Sequence, residues 1–219
     1  MLTIYGVYRS RATRPLWLLA EIALPFNHVP VIQAYRLPNP RAEDAPFNTA
    51  SPEYLAVNPL GQVPCMEDEG LILTESLAIT QHIARVHGGA LGPQDAAEEA
   101  LISQWTLLAA TSIEACALEI QRILANGGGV QPEGQAAIAI ASEKLRRPFA
   151  RLERHFGGND WLVGDRFTVA DINVAECVRY SQGATALIAE FPALGAWLGR
   201  CQSRPAFLSM MAAREAEPA

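Results

Sequence analysis

The sequence predicts an α+β chain in two parts, a mixed α/β half followed by an all-α half. Three observations carry this. Up to about residue 87, short strand-like runs alternate with helical spacing and Pro-rich turns. One pair of runs, 63–67 and 71–74, flanks Asp68-Glu69-Gly70, a hairpin signal. Beyond Pro93 every periodic stretch is helical, so the boundary falls at 88–93, with domains at 1–87 and 93–219.

Each element has a local reason. Leu2-Thr3-Ile4-Tyr5 reads as a short strand. Over 12–23, Leu16, Leu19, Ala20 and Ala23 follow helical spacing, with Pro15 near the start, where its missing N–H is tolerated. A second strand is expected at 28–32, with Pro30 confining it to an edge. Residues 38–46 form a loop, and Ser51-Pro52-Glu53 combines an N-cap, a first-turn Pro and a first-turn acid. After the hairpin a helix runs over 76–87 and stops at Gly88-Gly89. Pro93 opens a helical stretch reaching Asn126, long enough to expect a bend, and Pro132 opens another ending near His155. Thr168-Val169-Ala170-Asp171 places a capping Thr three residues before an acid, a capping-box variant. Pro192 and Pro205 each start a further helix.

Composition narrows the function classes. The 219 residues are 50% apolar and 18% charged, which excludes intrinsic disorder. A net charge of −6 argues against nucleic acid or an anionic membrane surface as partner. No membrane span is expected, since no uninterrupted apolar run approaches ~18 residues. Nor is a secretory signal, because the apolar stretch after Arg9, Arg11 and Arg14 breaks at Glu21. Cys65, Cys116, Cys177 and Cys201 are scattered without a C-x-x-C, as in a reduced cytoplasmic protein holding no metal.

Four motifs then occur in order: Asn58-Pro59-x-Gly61-x-Val63-Pro64; Glu75-Ser76-x-Ala78-Ile79; Phe167-Thr168-x-Ala170-Asp171-Ile172; and Trp197 followed by Arg204-Pro205-Ala206-Phe207. With them the chain resembles the cytosolic glutathione transferase superfamily over nearly its whole length. The resemblance implies a thioredoxin-like N-terminal domain, an all-α helical-bundle C-terminal domain, a homodimer, and a detoxification reaction. In that reaction glutathione thiolate attacks an electrophilic, largely apolar small molecule. It also implies a cis Val63-Pro64 bond, with the Val63 backbone free to pair with a bound peptide. Two alternatives stay open within the resemblance: a glutathione-dependent isomerase or disulfide or peroxide reductase, and a non-catalytic binding module.

The residues support glutathione binding on their own chemistry. Glu75-Ser76 sits where a strand meets a helix N-terminus, where free N–H groups and a hydroxyl attract a carboxylate. Glu75 offers the opposite charge to an ammonium, and a γ-glutamyl group carries both. Gln62 is placed to meet the peptide's terminal carboxylate or backbone. Taken alone the dipeptide is more often a plain helix cap; with Val63-Pro64 twelve residues earlier it reads as the site.

The thiol-activating residue is expected after the first strand. Ser10, four residues before Arg14, matches the serine of theta-like members; the cysteine of beta-like members is absent, and Arg11 and Ala12 replace the rest of the zeta-like motif. Ser10 is assigned as hydrogen-bond donor to the thiolate, or else as only the N-cap of the first helix. Tyr5, Tyr8 and Thr13 stand behind it. Tyr8, Trp105 and Ser112 are expected to line the acceptor pocket, and Leu108 the core. His82 and His87, five apart, have the wrong spacing for two ligands on one helix face.

Overall fold

The computed structural model describes residues 1–217. Met1–Gly89 and the segment carrying the last helix form one compact unit, and Ala90–Arg204 forms another.

In the first unit β1 (Thr3–Tyr5) leads through α1 (Thr13–Glu21) to β2 (Asn27–Val29), which pairs parallel to β1 with Ile4 opposite His28. Pro30 ends β2 three residues earlier than expected, and the strand lies at the sheet edge. α2 (Pro52–Val57) precedes β3 (Cys65–Asp68), which runs antiparallel to β1, and β4 (Leu71–Thr74) closes the hairpin. The sheet order is β2-β1-β3-β4. Glu69 at φ 49° and Gly70 at φ 86° give the two left-handed positions that a two-residue hairpin turn requires. Ile4, Leu16, Met66, Ile79 and Ile83 are buried, and α3 (Ser76–His87) packs against α1 and against β3 and β4. α1 stops at Glu21, because Ala23 takes a left-handed φ of 49°. Ser51 occupies the N-cap position of α2, but its Oγ accepts from the Asn48 N–H instead of capping the helix.

The second unit opens with α4 (Ala96–Leu108), capped by Asp95, whose Oδ1 accepts the Glu98 N–H at 2.8 Å. A π-helical turn, Ala109–Ile113, joins α4 to α5 (Glu114–Ala125). Within Ala96–Ala125 one 18-residue window reaches a mean hydropathy of 1.3, so by length and composition alone the stretch could cross a membrane, a signature that a buried core helix shares. Here Ile102, Trp105, Ala109, Ile113 and Ile120 are buried, with α4 and α5 packed on α7 (Val169–Arg179) and α5 on α6 (Pro132–Phe156). α6 runs through Pro148, where one backbone donor is missing. α8 (Thr185–Ala189) and α9 (Pro192–Gln202) complete the unit.

The capping box at α7 is formed. Asp171 Oδ2 accepts from the Thr168 N–H at 2.9 Å and from its hydroxyl at 3.2 Å. Asp171 Oδ1 accepts from the Leu162 N–H and from Trp197 Nε1 at 2.9 Å, so the third motif and the Trp of the fourth meet on one carboxylate. Burial pushes that carboxyl up to about 6, against the pull of its hydrogen bonds.

α10 (Pro205–Ala216) belongs with the first unit, where the helical half was expected to run unbroken to residue 219. Its Phe207 meets the fully buried Trp17 of α1 edge-on at 4.9 Å, and that aromatic burial draws the helix back.

Candidate functional site

The Asn58-Pro59-Leu60-Gly61-Gln62 turn is built by its own side chains. Asn58 is buried; its Oδ1 accepts the Leu60 N–H and its Nδ2 donates to the Gln62 carbonyl at 2.8 Å. The Tyr54 hydroxyl donates to the same carbonyl at 2.5 Å. Gly61 takes φ 59°, and a Cβ there would lie 2.7 Å from the Thr49 carbonyl oxygen, so only glycine fits. The Gln62 side chain is exposed, and the Val63-Pro64 bond that follows is cis, directly ahead of β3.

Glu75 is exposed and stands at the N-cap of α3 with φ 65°, yet its side chain makes no capping bond. A non-glycine residue there costs on the order of 1–3 kcal/mol, and such positions concentrate at functional sites. Ser76, the first residue of α3, is buried, and its Oγ accepts a 2.8 Å hydrogen bond from Nη1 of Arg14, itself 1% exposed. A hydroxyl that accepts in this way retains its own proton to donate.

Around the start of α1 the hydroxyl candidates separate. Ser10 Oγ donates to the Val7 carbonyl at 2.6 Å and accepts from the Ala12 N–H at 3.0 Å. The N-cap position of α1 is Ala12, so Ser10 closes a turn just ahead of the helix and is not its cap. The Thr13 hydroxyl donates to the Ser10 carbonyl at 3.3 Å. The Tyr5 hydroxyl points along the sheet to Glu67 Oε2 at 3.4 Å, and burial, then Glu67, raises its pKa. Tyr8 is half-buried, edge-on to His28 at 5.4 Å; burial, then Glu217, raises its pKa. Gly6 permits this crowding, since a Cβ there would come within 3.0 Å of Ala12 Cβ and 3.5 Å of Val63 Cβ.

Comparison with known proteins bears on this geometry. Residues 1–85 match the family described as "Glutathione S-transferase, N-terminal domain", and residues 99–205 match "Glutathione S-transferase, C-terminal domain". The chain belongs to the glutathione S-transferase family. Residues 206–217 lie outside both matches. A glutathione S-transferase of Hyoscyamus muticus is 32% identical over 161 residues, covering 70% of this chain and 76% of that protein. Glutathione transferase F7 of Populus trichocarpa is 28% identical at a TM-score of 0.79, covering 98% of this chain and 99% of that one. A theta-class glutathione S-transferase of Xanthomonas axonopodis pv. citri, solved with glutathione bound, is 27% identical at a TM-score of 0.73, covering 95% of each chain.

Within this glutathione S-transferase the expected pocket residues come from both units. Tyr8 belongs to the first unit, Trp105 and Ser112 to the second. Trp105 is 2% exposed, with Arg151 over its ring at 4.8 Å and His155 edge-on at 4.9 Å, beside a cavity of about 260 Å³ also lined by Gln104 and Trp161. Ser112 is exposed, so the two residues do not share a helix face. The reason is that Ser112 lies inside the π turn, whose wider winding carries it off the α-helical face that Trp105 occupies.

His82 and His87 converge on a different task. Each hydrogen-bonds through Nε2 to Asp68 Oδ2, at 3.0 and 3.1 Å, pinning the end of α3 to the hairpin. Cys65 is fully buried in β3, as its position in a strand suggests.

Arg14 was not singled out as a site residue from sequence. The available signal was a charge standing beside the run Leu16-Trp17-Leu18-Leu19, all of it buried.

Proposed function

We propose that this family member conjugates the thiolate of glutathione to an electrophilic, largely apolar small molecule, as a cytoplasmic homodimer. Residues 1–87 would bind glutathione, and the helices beyond Pro93 would help hold the acceptor. The observation that carries the reading is the paired arrangement at α3: exposed Glu75 at a left-handed φ, next to Ser76 held by Arg14. Glu75 meets the γ-glutamyl ammonium. The Ser76 hydroxyl and the N-terminal amides of α3 meet its carboxylate. Gln62 and the Val63 backbone, placed by the Asn58 turn, meet the rest of the tripeptide.

Ser10 donates to the thiolate. A free thiol titrates near ~8.5, leaving only a few per cent ionised at neutral pH. To donate, the hydroxyl must surrender its bond to the Val7 carbonyl. That bond contributes a net ~0.5–1.5 kcal/mol, against ~1.5–3 kcal/mol for a bond to a charged acceptor, so the exchange favours the thiolate. The Ala12 N–H on Ser10 Oγ strengthens the donor.

The test is calorimetry with glutathione, then a chromogenic assay on a panel of aryl halides and other electrophiles. Wild type should bind and turn over, while Glu75→Ala and Ser76→Ala each lose roughly ten- to hundred-fold in affinity. Unchanged affinity in both variants removes glutathione from this site. Binding with no turnover on any electrophile favours the non-catalytic module, and turnover of disulfides alone favours the reductase.

A further inference from the structure

Residues Tyr8 and Arg9, directly before Ser10, lie between β1 and α1 and belong to neither. All four polar backbone atoms of the pair are nevertheless engaged. The Tyr8 N–H donates to Glu217 Oε1 and the Arg9 N–H to Glu217 Oε2, both at 2.8 Å. The Tyr8 carbonyl accepts from Arg214 Nη1 at 2.6 Å, and the Arg9 carbonyl from Gln33 Nε2 at 3.1 Å. The Arg9 guanidinium returns the grip, with Nε on the Glu217 carbonyl at 3.0 Å and Nη2 on the Glu215 carbonyl at 3.4 Å. Three of the four backbone atoms are therefore held by residues more than 200 positions away.

We propose that Arg214 and Glu217 are positioning residues for Ser10, clamping the backbone that aims its hydroxyl. This deepens the function proposed above and rests on Ser10 being the thiolate donor. One carboxylate bridging two successive N–H groups fixes the angle between two peptide planes, and both bonds are charge-assisted. Arg214 then locks the carbonyl between them. The clamp is anchored in its turn, because α10 is docked by Phe207 on Trp17. Ser10 Oγ leans back on the Val7 carbonyl, so the clamped pair sits inside the turn that the hydroxyl closes. Releasing the pair to water would leave the hydroxyl aimed by that turn alone, and a misplacement of about 1 Å at a reacting group costs on the order of 100-fold in rate.

The experiment compares wild type, Glu217→Ala and Glu217→Gln in the full chain. Amide hydrogen exchange is read at Tyr8 and Arg9, bound-thiolate absorbance against pH, and kcat with KM for glutathione. In Glu217→Ala, exchange at both amides should quicken at least about ten-fold. The bound-thiol pKa should rise by about one unit, with kcat near neutral pH falling up to about ten-fold. KM for glutathione should stay within about two-fold, since the α3 contacts persist. Glu217→Gln, which keeps one acceptor oxygen, should fall between and carries the test if the alanine variant does not fold. Faster exchange with an unmoved thiol pKa overturns the positioning role, and so does faster turnover, which would make Glu217 an obstruction. Wild type that binds no glutathione overturns the transferase reading instead, and the exchange measurement then decides the clamp by itself.

Discussion

Nη1 of Arg14 donates a 2.8 Å hydrogen bond to Oγ of Ser76, joining the first turn of α1 to the first residue of α3 across 62 positions. Both side chains are buried, so water does not compete for the bond. The start of α3, where the γ-glutamyl contacts are proposed, is thereby coupled through a single guanidinium to the start of α1, just after the proposed thiolate donor Ser10.

Arg14→Lys retains the charge but not the planar fork, and is not a conservative change at such a site. It should weaken glutathione binding roughly ten-fold and lower stability by about 1.5–3 kcal/mol, the range for a hydrogen bond to a charged group. Calorimetry and urea unfolding read the two effects. Full affinity in the lysine variant would detach Arg14 from the site.

Ser10→Ala should raise the bound-thiol pKa by one to two units, on the order of 1.4–2.7 kcal/mol. Turnover near neutral pH should drop far more than affinity and recover partly at higher pH, where the thiol ionises unaided. Ultraviolet titration of the complex checks this. An unshifted titration moves the search to Tyr8 and Thr13, and then to backbone amides.

Thr168→Ala should cost about 1 kcal/mol through the lost hydroxyl bond, since the Thr168 N–H still reaches Asp171. Trp197→Phe removes a donor from the buried Asp171 and should cost about 1–3 kcal/mol. Steady-state kinetics of either folded variant should barely change. A large loss of turnover at normal thermal stability would give Thr168 a part in the reaction.

Arg166 hydrogen-bonds to both carboxylate oxygens of Glu98 and holds that carboxyl down to about 2. A depressed carboxyl stabilises the fold above its unfolded value of about 4.3, and the contribution is lost as pH falls from there toward 2. Arg166→Ala should therefore be less stable than wild type at pH 7 by about 1 kcal/mol, small because the pair is partly solvated. The difference should vanish at the acid end of that window. Urea midpoints across pH measure it, and a gap independent of pH would mean that Arg166 acts through the Ala90 and Gly92 carbonyls instead.

Local grammar was legible without coordinates because each of its signals is complete within a few residues. The Asp68-Glu69-Gly70 turn, the Thr168–Asp171 capping box and the Pro30 edge strand all follow from short-range sterics or from a side chain meeting backbone three residues away. The order of the four motifs was enough to indicate the family and the fold class. Tertiary structure alone decided that Arg14 carries Ser76, that α10 returns to the first unit, and that Glu217 clamps Tyr8 and Arg9. It also decided that Ser112 falls within a π turn and so off the face of Trp105, a change of helical phase that a strict 3.6-residue period does not foresee. The physical reason is separation along the chain. A partner 62 or 209 positions away is selected by the path of the backbone, and an Arg or Glu that reads as ordinary surface charge bears no local mark of the partner it will meet.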